Sequence, residues 1–445
     1  MEKGRFSNYD EILSGVYVNA EGDYAPLEEN IGRKGIVAIA TPLPWGDNVT
    51  RIKRNELYGA KGRALLGDVN GINPLTEALA YANEAIVYRQ DTGGKQAKAT
   101  IAGLGTVTAK YAGVAGNKIN IEIKKLSSSE TPTWRVMTYF DATRVNTQDV
   151  KKAEDIANNT FVNFELTGGE GTLTELKSTP LVGGENGTVA QNNKAFIKEI
   201  VNHKFDVVVV TGENALTDAE EIINEVIYKR NRGIQVVTPD CGADNRYITQ
   251  TKSQGYRKKI GHDIVEVSAD LFPYTVGGIQ AGLAINKSAT YMEIKDAVDI
   301  VNPLEPEELE EAVTTGYFCL TTRVDDKVVV EKDINSLHTH ANEKVLKVLR
   351  DNKTIRVEAE IRNYATYQGE VNYIGKVNPD EADANQFKIT LGKKMEELSS
   401  LSAIRDYDFK EDIQVIPNVE EKLYICRLHY TTASNLEKIF INIAV

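Results

Sequence analysis

Along the chain the apolar positions change their spacing several times, and each change marks a different kind of element. "GVYVNA" (Gly15 to Ala20) is a short strand-like stretch, isolated in an extended polar opening that runs to about residue 30. "KGIVAIATPLPWG" then holds a continuous apolar run, Ile36 to Ala40, which reads as a buried strand closed by two prolines. "NPLTEALAYANEAIVYRQ" reads as one helix begun at Asn73 and Pro74, with Leu75, Ala78, Leu79 and Ala82 at helical spacing.

From Lys95 to about Leu176 the texture changes to short β-prone runs: "AKATIAGLGTVTAKYAG", "NKINIEIKK", "TWRVMTYF" and "NTFVNFELTGG". Gly, Asn, Ser and Pro turns part them, which predicts an all-β module, a small sandwich set outward as an insertion. From about Leu181 to Val301 strand and helix alternate. "NKAFIKEIVNHK" reads as a helix, "FDVVVVTG" as a fully buried strand, "DAEEIINEVIYKRN" as a helix starting at Asp218, and "GIQVVTP" as a second buried strand. Such strands separated by helices imply a parallel sheet covered on both faces, the largest core of the chain. The glycine cluster "TGGEGTLTELKSTPLVGGENGTVA" (Thr167 to Ala190) falls at the seam and reads as a mobile linker that lets two bodies reorient.

Beyond about Asn302, "EPEELEEAV" predicts a capped acidic helix, and "YFCLTTRV" and "KVVVEKD" predict strands. "NPDEADANQFKITLGKKMEELSSL" predicts a longer helix whose Phe387, Leu391, Met395 and Leu398 form one apolar stripe. "KLYICRLHY" and "KIFINIAV", joined by "TTASN", read as a closing hairpin. In the final strand Ile439, Ile441, Ile443 and Val445 share one face and Phe440, Asn442 and Ala444 the other. Burying four such side chains is worth about 1.5–3 kcal/mol each as an upper bound, so a sheet, in this molecule or another, must cover them.

At 445 residues the chain is too long for one core, and two to four domains are expected. No apolar run approaches the roughly 20 residues of a membrane span, and "MEKGRFSNYDEILSG" lacks a signal-peptide core, so folding in a cytoplasm is expected. A net charge of −12 disfavours a phosphate-backbone partner. Cys241, Cys319 and Cys426 are few, far apart and in no CxxC pair, and read as buried apolar thiols.

An α/β core invites an enzyme reading, for instance a small-molecule hydrolase that oligomerises through its termini. The constellations such enzymes need are missing from the sequence. "GLGTVT" (Gly103 to Thr108) has Thr108 where a dinucleotide fingerprint needs its third glycine, and reads as a turn between strands. "TGGK" (Thr92 to Lys95) lacks P-loop spacing and reads as a flexible junction. His338 and His340 have no acidic or thiol ligand at fixed spacing, and read as surface histidines. There is no GxSxG elbow. Asp240, Asp244 and Asp263 follow the second α/β strand, where open sheets bind ligands, but read as turn and cap residues. No catalytic, cofactor or metal residue is therefore expected.

The order of parts resembles the contractile tail sheath proteins of bacteriophages and of phage-derived particles such as R-type bacteriocins, in the version found in defective prophages of Gram-positive bacteria. "GVYVN", "RKGIVAIATPLPWGD", "AKYAGVAGNKINIEI", "LVGGENGTV", "DNKTIRV" and "YIGKVNPDEADANQFKITLGKKMEELSSLSAIRDYDF" carry the resemblance over most of the chain, in order. Ser14 stands where a commoner family form has Pro before "GVY".

The resemblance implies a non-enzymatic α/β multidomain chain. Its parts would be an N-terminal arm (1–30), the first part of the α/β core (31–94), an inserted outer β-sandwich (95–176), a central subtilisin-like domain without the catalytic triad (177–335), an α+β C-terminal domain near the tube (336–437) and a linking strand (438–445). It further implies arms that add strands to a neighbour's sheet, through Val16, Tyr17 and Val18 at one end and Ile439, Phe440, Ile441, Ile443 and Val445 at the other, meeting Tyr424, Cys426 and Leu428. Lys388, Lys393 and Lys394 would face a tail tube. The implied partners are further copies in a helical sheath of stacked, hexameric rings, a tail tube protein, and baseplate and tail terminator proteins, with no nucleic acid and no membrane insertion. The place would be a virion tail or bacteriocin particle assembled in a bacterial host's cytoplasm.

Overall fold

Every residue of the strand Ile36–Thr41 is buried, as an apolar run needs when both faces of its sheet are covered. The computed structural model in which it lies describes residues 35–67, 71–126, 133–166, 173–190, 192–435 and 437. Both expected arms fall outside these residues. Val37 and Ala38 pair in parallel with Val207 and Val208. The parallel ladder continues from Val207–Val209 to Gln235–Thr238, then Ile248–Thr251, then Tyr317–Phe318. The helices Ala215–Ile223 and Phe272–Gly282 pack on this ladder, and the second is buried almost throughout. The first begins three residues before the expected Asp218, which sits in its first turn, where a carboxylate complements the helix dipole. "YFCLTTRV" divides at the buried Cys319 into Tyr317–Phe318 and Leu320–Thr322, the latter paired with Val328–Val330.

The chain forms two compact units, Ile39–Leu79 with Glu84–Phe196 in one and the other described residues in the second. In the former, the single helix expected after Asn73 is overturned. Pro74–Leu79 ends after one and a half turns, and Glu84–Arg89 is a strand, antiparallel to Val49–Lys53. Ile86 and Val87 are β-branched and wholly buried there, so sheet packing overrides the local helical spacing.

The β-prone runs form two antiparallel sheets. One orders Val162–Leu166, Gly105–Ala109 and Lys98–Ile101, and the other Leu176–Pro180, Ile119–Lys125, Trp134–Phe140 and Thr143–Val150. Ile119, Ile121 and Ile123 alternate inward, and Phe161 lies 5.7 Å from both Phe140 and Trp45. "GLGTVT" spans the hairpin turn, closed by the Leu104 amide donating to the Ile101 carbonyl at 3.1 Å. The described part of the glycine cluster is no loose linker. Thr188–Val189 pairs with Asp91–Thr92, and Lys95 and Glu185 exchange backbone bonds of 2.9 and 3.1 Å. A Cβ on Gly187 would meet the Thr92 carbonyl oxygen at 2.3 Å, and one on Gly184 the Gly113 carbonyl oxygen at 2.5 Å. These glycines let two chain segments approach closely, at the cost of conformational entropy. Arg89 and Asp91 brace the crossing as a buried ion pair of 2.5 Å. Burial alone would raise the Asp91 carboxyl, but the bonds from Arg89 and the Leu43 amide outweigh it and hold the group below its usual range.

Candidate assembly surface

Two helices and a hairpin build the C-terminal layer. Asp380 caps the helix Glu381–Ser400 by accepting from the amides of Ala382 and Asp383, both at 3.0 Å. Its stripe of Phe387, Leu391, Met395 and Leu398 is buried against Val357, Ile361 and Ala365 of the helix Asn352–Gln368. At one end of the stripe Phe387 lies 4.6 Å from the Tyr373 ring and 6.2 Å from that of Tyr424.

The other face of Asn352–Gln368 is polar and still buried. Arg356, wholly buried, donates to Asp333 at 2.9 Å, to the Lys287 carbonyl at 2.6 Å and to Gln280. Burial pushes the Asp333 carboxyl up, but the Arg356 charge and the bonds from the Ala289 amide and Gln280 pull harder and hold it below the usual range. Asn352 accepts from Gln235 at 3.2 Å and Thr249 at 3.0 Å, two polar side chains inside the parallel sheet. Further along the helix, Glu358 accepts from Tyr247 at 2.9 Å and Arg362 at 3.0 Å and pairs with Arg246 at 3.2 Å. Gly233 and Asn363 bond each other twice, at 2.8 and 3.0 Å, where a Cβ on Gly233 would strike Ala359. Nearly every charge on this face has a counter-charge or a bond, the condition under which a buried polar network is stable.

The hairpin pairs Ile413–Asn418 with Leu423–Leu428 in antiparallel register, with Ile413 opposite Leu428, Val415 opposite Cys426 and Ile416 opposite Ile425. The described partner of Leu423–Leu428 thus precedes it, Thr431–Thr432 pairs with Ile404–Arg405, and the second strand of the expected closing hairpin lies outside the described residues. One face sends Ile413, Val415, Tyr424 and Leu428 onto the helical stripe. The opposite face carries the Ile416–Ile425 pair, with Ile416 exposed and Leu423 half-buried beside it. Among the described residues the hairpin is a two-stranded sheet, so each strand has one outer edge without a partner strand.

The structure thus divides the sequence-based site residues. Val16, Tyr17, Val18, Ile439, Phe440, Ile441, Ile443 and Val445 lie outside the described residues. Tyr424 and Leu428 point their side chains at their own core, and Cys426, read as a buried thiol, is exposed. Cys241 is half-buried, leaving Cys319 as the thiol that matches that reading. Lys393 is exposed and Lys388 is half-buried over the Phe409 ring at 4.9 Å, but Lys394 turns inward and pairs with Glu360 at 2.6 Å and Glu397 at 3.2 Å. It sits one position from the exposed Lys393, and that 100° rotation carries it to the core side. Ile416 goes unread, because "IQVIPN" has too little alternation to separate it from a loop, and Ile425 reads only as part of its strand.

The residues weighed for chemistry tie loops together. Asp244 accepts from the His338 amide at 2.8 Å and from Thr339, Asp240 accepts from the Tyr317 hydroxyl at 2.7 Å, and Asp263 opens an exposed strand. Among the described residues no group of three His, Cys, Asp or Glu side chains is placed to hold a metal ion. No described helix is long and apolar enough to cross a membrane.

Three sheath domain families match the chain in succession: the phage tail sheath protein beta-sandwich domain over residues 92–188, the central domain over 186–336 and the C-terminal domain over 347–445. The sheath tail protein Lin1278 of Listeria innocua is 25% identical, with a TM-score of 0.77 over 92% of this chain and 94% of its own. That of Desulfitobacterium hafniense is 26% identical, with a TM-score of 0.73 over 96% and 99%. The phage-like element PBSX protein XkdK of Bacillus subtilis is 28% identical over the whole of both chains. At 9% identity and a TM-score of 0.52, over 98% of this chain and 99% of the other, the contracted helical sheath of the anti-feeding prophage shares the fold. These families are structural and not enzymatic, which removes the hydrolase reading: the chain belongs to the phage tail sheath proteins, the family of contractile tail sheaths.

Proposed function

We propose that the chain is the repeating subunit of a contractile tail sheath, which polymerises with further copies around a tail tube, in stacked and hexameric rings, and shortens to drive the tube through a target envelope. The observation that carries this reading is the succession of three sheath domains from residue 92 onward, the last of which holds a hairpin with outer strand edges that have no described partner. The arms Gly15 to Ala20 and Lys438 to Val445 add strands to a neighbour's hairpin at Leu423–Leu428. Their alternate apolar side chains supply the burial and the backbone supplies the hydrogen bonds. The Ile416–Ile425 face, with Leu423, is the apolar ground on which such a joint rests.

The parallel-sheet domain is a subtilisin-like body without its triad, moving as a rigid piece while the arms keep subunits connected. Lys388 and Lys393 remain the candidates for the tube side, while Lys394 is committed to Glu360. Baseplate and tail terminator proteins would bound the sheath, in a phage tail assembled in the host cytoplasm or in a headless R-type bacteriocin. Electron microscopy of the purified chain tests the reading. Tubes or stacked rings are expected, and deleting Phe440 to Val445 is expected to leave folded monomers that no longer polymerise. Equal assembly by the truncated chain would refute strand exchange.

A further inference from the structure

Chain ends usually fray, yet residues 431–435 and 437 are stitched on two sides. On one side Thr431 and Thr432 pair with Arg405 and Ile404, and the Ala433 amide donates to the Ala403 carbonyl at 3.1 Å. On the other, side chains reach in from the start of the helix Asn352–Gln368 and from Lys332. Thr354 donates to Thr432 at 3.2 Å, Lys353 donates to the Asn435 side-chain oxygen at 3.2 Å, and Lys332 pairs with Glu437 at 2.7 Å. Lys353 has no exposed surface. Burying an ammonium is costly, and here one of its bonds holds a residue near the end of the chain. The anchors also adjoin the polar lock. Lys353 and Thr354 stand in the first turn of the helix that carries Arg356, and Lys332 precedes Asp333, the carboxylate Arg356 binds.

We propose that residues 431–435 and 437 are a fixed root for the terminal arm, pinned by Lys353, Thr354 and Lys332, so that tension on the arm passes to the Arg356–Asp333 lock and bypasses the hairpin. The inference rests on the sheath reading, in which the arm joins subunits. The root also sets reach. The residues after 437 span at most about 27 Å when extended, and freeing the root back to Thr431 would lengthen the leash to about 50 Å. A lattice held by so long a leash loses its fixed subunit spacing.

The test is hydrogen exchange on the full chain, followed by electron microscopy of its assemblies. K353M is expected to speed exchange of the 431–435 and 437 amides on the order of tenfold, and E437Q a few-fold. T354V, which removes a single bond, replaces K353M if that variant does not fold. K332E should match E437Q, and the swap K332E/E437K should restore protection. Sheaths of K353M/E437Q are expected to show scattered subunit spacing where the unaltered chain gives a uniform repeat. Unchanged exchange in the single variants, or a swap that restores nothing, overturns the root. Faster exchange with a uniform lattice overturns its mechanical role. If the unaltered chain forms no sheath, the sheath reading falls and the mechanical role with it, while exchange still decides whether the root exists.

Discussion

The helices Asn352–Gln368 and Glu381–Ser400 lie side by side and are held by opposite means. The second is fixed by an apolar stripe, whose residues are replaceable by others of like volume. The first is fixed by Arg356, Glu358 and Asn352, each facing a particular partner in the parallel-sheet body, with Arg362 bracing Glu358 from one turn along the same helix. Apolar burial is non-directional and supplies free energy, whereas guanidinium–carboxylate pairs are directional and fix register. The directional lock joins layer to body, and the apolar layer carries the hairpin.

The largest effect is expected at Arg356. R356M leaves Asp333 buried without its counter-charge and should cost about 3–5 kcal/mol in chemical denaturation. R356K, which lacks the planar fork, should not rescue it. The pH dependence follows. In the unaltered chain the Asp333 carboxyl is held below its unfolded value of about 3.9, so its contribution is present above that pH and is lost as pH falls through the lowered folded value. In R356M burial dominates and raises the folded value, so the variant should regain stability on going from pH 7 to pH 5. Denaturation midpoints that fall together in both chains would break the contrast between the helices.

L391A comes next, at about 2–5 kcal/mol from lost burial and the cavity left behind, whereas L391M should cost under about 1.5 kcal/mol. A costly L391M would show that the stripe is as directional as the lock. G392A is expected to cost about 1–3 kcal/mol despite the better helix propensity of alanine, because the new Cβ would meet the Phe409 ring at 2.4 Å. The smallest effect belongs to the surface. Arg323 binds Asp325 at 2.7 Å and lowers its carboxyl to about 2, so R323A should return that titration to the ordinary range by NMR while the denaturation midpoint stays put.

Which elements were legible follows from the same contrast. The Phe387-to-Leu398 stripe, the valine strands and the alternating isoleucines of 119–123 announce themselves, since one-sided burial writes a period into the chain. Asn352–Gln368 does not, because buried Lys353, Arg356, Glu358 and Arg362 look like a solvated face until their partners are in view. Partners such as Gln280, Asp333 and Tyr247 lie far away in sequence, and no local pattern reports them. The fate of Glu84–Arg89 was hidden for a related reason, since helical spacing through Ala82 runs on into residues that a sheet claims.

By itself, then, the sequence determined the alternation of β module, parallel α/β core and C-terminal layer, and through the ordered resemblance of its segments the family of tail sheaths. Only the tertiary structure decided that the glycine seam is a tight crossing, that Lys394 points inward, that Leu423–Leu428 pairs backward with Ile413–Asn418, and that the last described residues are pinned by Lys353 and Lys332. Periodicity records which face of an element is dry. Which distant group meets a given donor, carboxylate or strand edge is fixed when the chain closes on itself, and that information is not local.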